Sequence, residues 1–335
     1  MKNTHELSNG EKLLTIGDPH LGRRFTTNVP LEARGVREQQ LRDKYIELLN
    51  TPDVQYICMM GDLFDKFDVP NEVILFAWRE LEKAAKANPE TFYIFNRGNH
   101  DESRDTDLKS SWSVFEELSN KAGVPNVLVA GDAPGIVNNK IGYVPWHPFK
   151  DPDEQVTILL HDLVRAGMEG ACEYVLTHND VSTYGSDGEH SNLMAFDKLV
   201  HLEAVVLNGH VHQAGEFTTD AGLKVVNTGS MMPLNFAEDK SGEMFVTLTL
   251  EEFEAADAST LEGKSVRVLL KPDEEAPDPI KCLQFKVKRI SETGTEEVGE
   301  VKPEDFELKA LYDDSMQDVA DPLKEEIWES IKDKL

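Results

Sequence analysis

The chain has 335 residues, long for one domain and short for three, which predicts one large domain with a smaller one. Its 40% hydrophobic content can fill a core, while 15 Phe, 7 Tyr and 4 Trp point to no aromatic binding belt. A formal charge of −28 excludes a protein that coats nucleic acid with a general basic field, although bound metal ions or a local basic patch can still meet a phosphate.

Residues 1–12 are polar and mixed in charge, and the chain contains no 18-residue apolar run. No signal peptide and no membrane partner are predicted, and the expected location is the cytoplasm. From there a pattern repeats. A short apolar run rich in β-branched residues stops abruptly at glycine and polar residues. Leu13 to Ile16 runs into Gly17-Asp18-Pro19-His20, and Val54 to Met60 into Gly61-Asp62. Thr91 to Phe95 leads to Gly98-Asn99-His100-Asp101, Tyr174 to Thr177 to His178, and Ala204 to Leu207 to Gly209-His210-Val211-His212. Each run has the length of a strand. Helical spacing fills the gaps: Leu41, Tyr45 and Leu48 within 31–49, then Val73, Ala77 and Leu81 within 70–87, then 106–122 and 152–167. Strands alternating with helices predict an α/β fold. In such folds ligands gather beyond the carboxyl ends of the strands, so five polar clusters can meet at one site. The cysteines Cys58, Cys172 and Cys282 are odd in number and form no CxxC pair. That argues against a disulfide framework and for a reducing compartment.

Past residue 250 the texture changes. Residues 251–335 hold 24 Asp and Glu against 12 Lys and Arg. Residues 271–279 read as an exposed linker and 281–290 as a strand, and Leu323, Ile327, Ile331 and Leu335 share one face of a C-terminal helix. That stripe suits packing on its own domain or docking a partner. The expected organisation is a domain over 1–250 and an acidic α+β accessory domain over 251–335.

The strand-end residues Asp18, His20, Asp62, Asn99, His100, His178, His210 and His212 offer carboxylate, imidazole and amide donors with no thiolate. Such a set suits Mn²⁺, Fe²⁺, Zn²⁺ or Mg²⁺, and it is too large for one ion. Seven ligands shared by two ions, with one carboxylate bridging, is a sensible count. Two ions about 3.5–4 Å apart can clamp a phosphate and activate the attacking water. Asp-x-His is itself a unit, because residues two apart on a strand face the same side.

Taken in order, Asp-Pro-His-Leu-Gly (18–22), Gly-Asp-Leu-Phe-Asp (61–65), Gly-Asn-His-Asp (98–101), His178 and Gly-His-Val-His (209–212) resemble the calcineurin-like metallophosphoesterases. Within that superfamily the pattern is similar to the SbcD-type nucleases of double-strand-break repair, over residues 12–250. Val69-Pro70 after the second motif, Asn227-Thr228-Gly229-Ser230 and Met232-Pro233-Leu234 look like the same branch. The resemblance implies two packed mixed β-sheets flanked by helices. It implies that Asp18, His20 and His212 hold one ion, that Asn99, His178 and His210 hold the other, and that Asp62 bridges them. It assigns His100 to contact the scissile phosphate and protonate the leaving oxygen, a task that suits imidazole near neutral pH. Asp101 would orient His100. Mn²⁺ is the implied ion, DNA the implied substrate, and an SbcC-type coiled-coil ABC ATPase the implied partner. Since relatives dimerise, a homodimer is also open.

The compact length is similar to phage-encoded members that serve recombination and replication, which would place the protein in a host cytoplasm. The stretch 23–44 is locally basic, and its Arg23, Arg24, Arg34 and Arg37 are candidate contacts to DNA phosphate. Two other classes share the donor set: a different phosphoesterase, acting on phosphoproteins or cyclic nucleotides, and a non-catalytic DNA-end-binding subunit. The second would tolerate lost ligands, and this sequence keeps every one.

Overall fold

Each of the five apolar runs expected to be a strand forms one. The structure, a computed structural model, describes residues 3–105, 107–165, 172–181, 193–194, 199–200, 204–219 and 222–290. The first sheet begins with the antiparallel pair β1 (Thr4–Glu6) and β2 (Lys12–Ile16), and β3 (Tyr56–Met59), β4 (Phe92–Phe95) and β5 (Val127–Val129) then add in parallel, in the order β1-β2-β3-β4-β5. Then come β6 (Gly135–Val137), β7 (Ile141–Val144) and β8 (Tyr174–Thr177), and a short parallel pair, β9 (Asp180–Val181) with β10 (Leu193–Met194). They are followed by β11 (Val205–Asn208), β12 (Gly215–Thr218) and β13 (Lys224–Asn227). The second sheet has the order β12-β13-β11-β8-β7-β6, parallel in its four central strands and antiparallel at both edges.

Period-two alternation sorts the strand residues into layers. In β3, Tyr56 and Cys58 join Leu13, Ile94, Leu176 and Leu207 in a core lying between the two sheets, while Ile57 and Met59 face the other way. That outer face is covered by α1 (Val36–Leu49), α2 (Asn71–Ala87) and α3 (Ser111–Ala122), through Leu41, Tyr45, Trp78, Leu81 and Phe115. On the second sheet Val175, Val206 and Val225 turn outward to Val156, Leu159 and Leu163 of α4 (Pro152–Arg165). The protein is therefore α/β, with two packed mixed sheets flanked by helices, as expected.

Helix ends differ from the expectation where local chemistry decides them. The helix predicted over 31–49 is split: a 3₁₀ turn covers Leu31–Ala33, and α1 starts only after Gly35, which sits at φ 87°. The helix predicted from 106 begins at Ser111, because the Ser110 hydroxyl accepts the Ser113 N–H at 3.1 Å and caps it. α2 matches its predicted span within a residue, set by Pro70 just before it.

Backbone contacts divide the chain into two units. One comprises 1–247, 257–266 and 280–285; the other comprises 248–256, 267–279 and, among the described residues, 286–290. The C-terminal elements are β14 (Phe245–Thr249), α5 (Leu250–Ala255), α6 (Ala258–Leu261), β15 (Ser265–Leu270) and β16 (Gln284–Arg289), and the three strands form a sheet in the order β14-β15-β16. Residues 271–279 carry no regular element, and the Arg289 Nη1 donates to the carbonyls of Lys271, Pro272 and Glu274 within this stretch. The stripe from Leu323 to Leu335 lies outside the described residues. Among the described residues no helix is long and apolar enough to cross a membrane.

Candidate metal centre

The carboxyl ends of β2, β3, β4, β8 and β11 converge, and the polar residue or loop after each strand supplies a side chain to one place. Four of these residues hold left-handed backbone: Asp18 at φ 24°, His20 at 46°, Asp62 at 49° and His210 at 69°. For residues with a Cβ this is costly, on the order of 1–3 kcal/mol each, and such outliers cluster at functional sites. The strain is offset by burial and by local bonds: the His20 N–H donates to the Asp62 carbonyl at 3.0 Å and the Leu21 N–H to the Leu63 carbonyl at 2.9 Å, tying the first two loops together.

Asp62 occupies the middle. Its Oδ2 lies 3.7 Å from His20 Nε2, and its Oδ1 lies 3.3 Å from His178 Nε2 and accepts the His100 backbone N–H at 2.8 Å. Around one oxygen stand His20 and, 3.1 Å from it, His212, whose Nε2 is 3.5 Å from Asp18 Oδ2. Around the other stand His178 and His210, each within hydrogen-bond distance of the Asn99 Oδ1, at 3.1 and 2.8 Å. All seven residues expected to bind ions are thus brought together, with Asp62 between the two groups. Ligand atoms of Asp62, His178 and His210 lie within 4.8 Å of one another, and so do those of His20, Asp62 and His100.

Two glycines make this approach possible. A Cβ on Gly98 would sit 2.2 Å from both the backbone nitrogen and Oδ1 of Asp62, and one on Gly61 would sit 2.3 Å from His178 Nδ1. Neither space admits an atom.

The electrostatics of the pocket fit cations. Asp18 is fully buried, and neither of its oxygens accepts a hydrogen bond among the described residues. Burial pushes its carboxyl up to about 6, with the charge of His178 opposing and that of Asp62 assisting. Burial would also raise Asp62, but the charges of His178, His20 and His100 and the His178 hydrogen bond hold it well below the usual carboxylate range. His178 is pushed up to about 9: burial opposes its charged form, and Asp62 and Asp18 outweigh burial. His20 is driven down to about 3 by burial, despite Asp62. The two buried carboxylates therefore favour a proton on His178, while His20 stays neutral. Divalent cations would replace that proton, and the oxygen and nitrogen donors suit hard or borderline ions.

The outer residues hold the imidazole rings. The Met60 carbonyl accepts from His178 Nδ1 at 3.0 Å, which leaves Nε2 toward the centre. His212 Nδ1 meets Glu238 Oε1 at 3.0 Å. Beneath them Asn208 is completely buried: its Oδ1 accepts from the Thr177 hydroxyl and the Asn179 N–H, and its Nδ2 donates to the Asn179 carbonyl and Asn227 Oδ1. One amide thus locks the ends of β8, β11 and β13 in register.

His100 is exposed at the mouth of the site, its ring 4.8 Å from that of His20 and perpendicular to it. The carboxylate expected to orient it does not reach its ring. Asp101 is fully buried and accepts backbone N–H groups from Gly98 at 2.9 Å, Phe64 at 2.9 Å and Leu63 at 3.3 Å. It braces the second and third loops, and burial, with the nearby charge of Asp62, pushes it up to about 7. His100 Nδ1 instead donates to the Asp65 backbone carbonyl at 2.6 Å. Asp65 also places Oδ1 3.6 Å from His20 Nδ1 and 3.3 Å from Arg23 Nη1.

The basic stretch divides. Arg24 and Arg34 are exposed, and Arg23 is half-exposed beside Asp65. Arg37 faces inward: only 6% exposed, it donates to the Met244 carbonyl, the Ser265 hydroxyl and Gln40 Oε1, and its guanidinium lies 4.6 Å over the Phe245 ring. It is a structural staple turned away from any phosphate in solution. Cys58, Cys172 and Cys282 are all free thiols. Glu238 and Asn208 carry no signal in the sequence beyond lying near the last two motifs.

Two layered sheets with strand-end Asp, Asn and His donors define a binuclear metal-dependent phosphoesterase. The Calcineurin-like phosphoesterase family profile matches residues 11–214, more than half of the chain, and the protein belongs to that family. Its members bind two divalent metal ions and hydrolyse phosphoesters. No curated protein matches. Among solved structures 55 chains match, including a crystal structure that is 14% identical, covers 65% of this chain and 90% of its own, and superposes with a TM-score of 0.38. A likeness of that size adds nothing to the family assignment.

Proposed function

We propose that the protein is a DNA nuclease of the SbcD type, hydrolysing phosphodiester bonds with two bound ions, Mn²⁺ by preference. On this reading it acts in recombination, repair or replication with an SbcC-type coiled-coil ABC ATPase. The observation that carries the catalytic part is Asp62, which offers one oxygen to each of two imidazole groups at the floor of an open site. Asp18, His20 and His212 would hold one ion with Asp62, and Asn99, His178 and His210 the other. When bound, the ions polarise the phosphoryl oxygens and lower the pKa of the attacking water. The rest is the work of this chain's own side chains. The buried walls of the site keep both ligand groups fixed before substrate arrives. Because a backbone carbonyl only accepts, the Asp65 carbonyl keeps the His100 proton on Nδ1 and leaves Nε2 free to carry a second proton to the leaving oxygen.

DNA as substrate is supported by the five intact, ordered motifs and by cations at the mouth. Arg23 sits 3.3 Å from Asp65, the residue whose carbonyl holds His100, and Arg24 and Arg34 are exposed nearby in the chain. These would position a phosphate backbone without reading sequence. The deciding assay is hydrolysis of labelled linear duplex and single-stranded DNA with Mn²⁺, beside a cyclic nucleotide and a small chromogenic diester. Wild type should degrade DNA, and His100→Ala should keep its ions yet turn over about 10²–10⁴-fold more slowly. Rapid turnover of the cyclic nucleotide with DNA intact, both alone and with the ATPase added, would reject the nuclease assignment in favour of another phosphodiesterase.

A further inference from the structure

We infer that Glu238 is a positioning residue for one of the two ions: it fixes the ring of His212 so that Nε2 faces the centre. The inference rests on the two-ion reading above and adds to it a residue that no motif contains.

His212 lies on the loop after β11, and its ring is one of the less buried in the site, with 26% of its side chain exposed. Left to itself such a ring can flip, or take the other tautomer and turn its N–H toward the centre. The Glu238 carboxylate prevents both. It accepts only, so the His212 Nδ1 at 3.0 Å carries the proton and Nε2 keeps its lone pair. That lone pair points toward Asp18 Oδ2, 3.5 Å away, and toward His20 Nε2, 3.1 Å away, the atoms expected to share its ion.

The carboxylate is itself held rigidly. Its Oε2 accepts the Leu234 N–H at 2.8 Å and the Ser230 hydroxyl at 3.3 Å, and its Oε1 also accepts from the Asn235 side-chain amide. These three donors all come from residues 230–235, so the segment is folded around this one group. The next residue, Asp239, anchors the following turn by accepting N–H groups from Ser241, Gly242, Met244 and Phe245. The two adjacent carboxylates face opposite duties: one grips the site, and the other fixes the loop that delivers it. Two of the neighbouring imidazoles are held differently. His178 uses the Met60 carbonyl, and His20 Nδ1 stands 3.6 Å from Asp65. An anionic partner makes an imidazole a stronger donor than a carbonyl does, so Glu238 should favour tight binding at the His212 ion in particular.

The test is a Mn²⁺ titration of the full chain, read by electron paramagnetic resonance and calorimetry, for wild type, Glu238→Ala and Glu238→Gln, with the melting curve of each ion-free protein. Wild type should bind two ions. Glu238→Ala should bind one as wild type does and the other about 10–100-fold more weakly. Glu238→Gln, whose amide oxygen can still accept from Nδ1, should fall between them. Nitrogen NMR of the histidines should show the neutral His212 ring as the Nδ1–H tautomer in wild type and as a mixture of the Nδ1–H and Nε2–H tautomers in Glu238→Ala. Two ions bound with wild-type affinity by Glu238→Ala would overturn the inference. So would a glutamine variant that keeps its ion-free melt and the Nδ1 tautomer yet binds both ions equally weakly. A wild type that binds no Mn²⁺ would instead overturn the two-ion reading on which the inference stands.

Discussion

Replacing Gly98 by alanine tests the packing of the centre with a single methyl group. The added Cβ would lie 2.2 Å from the backbone nitrogen and from Oδ1 of Asp62, where real Cβ contacts stay above 3.0 Å. The listener at that contact is main chain and a buried carboxylate, so neither can swing aside. Relief requires Asp62 and its loop to retreat by about 1 Å, and a shift of that size at a reacting centre typically costs about 10²-fold. The same overpacking should cost about 1–3 kcal/mol of stability. We expect Gly98→Ala to fold, to melt earlier, to bind both ions more weakly, and to hydrolyse a chromogenic diester at least about 100-fold more slowly. Gly215→Ala is the control, since a Cβ there meets nothing within 4 Å. Steady-state kinetics at saturating Mn²⁺ with parallel melts separates the two effects. Wild-type turnover and affinity in Gly98→Ala would show that Asp62 does not occupy the position from which the two-ion geometry is argued.

Other expectations follow from single residues. Arg37→Ala removes a buried cation with three hydrogen bonds and a ring contact, and should cost about 2–4 kcal/mol in denaturant melts; DNA affinity should not change, and a selective loss of DNA binding in a fully stable variant would contradict its structural role. Arg23→Ala and Arg24→Ala should each reduce the slope of log K for DNA against log salt by about one, with small-diester turnover intact for Arg24→Ala. An unchanged slope in both would remove these residues from the DNA path. Asp239 has its carboxyl held down to about 2: burial opposes its charge, and the Ser241 side chain and the N–H groups of Phe245, Met244 and Gly242 prevail. A depressed folded value means stability that is present above the unfolded value near 4 and lost as pH falls toward 2. The gap in stability between wild type and Asp239→Asn should therefore narrow over that window, and a gap that is constant with pH would refute the assignment.

The meeting of the candidate ligands at one place was legible in the sequence for a physical reason. A strand announces itself by period two, and it must end where a glycine and polar residues replace the apolar run; Asp18, Asp62, Asn99, His178 and His210 all stand at or just beyond such ends. Likewise α2 was bounded by Pro70 and by a clean apolar stripe. What was not legible depends on distant partners. Arg37 reads as one of a basic cluster until Met244, Phe245 and Ser265, more than 200 residues away, close around it. Asp101 follows His100 directly, yet its donors are the backbone groups of two loops, which sequence adjacency does not reveal. Glu238 sits in an ordinary polar segment, and only the turn of 230–235 brings it to His212.

The central claim is tested most directly by anomalous diffraction from Mn²⁺-soaked crystals of the full chain. We predict two peaks about 3.5–4 Å apart, one against Asp18, His20 and His212, the other against Asn99, His178 and His210, with Asp62 between them. A single peak, or peaks that leave Asp62 without an ion on either side, would contradict it.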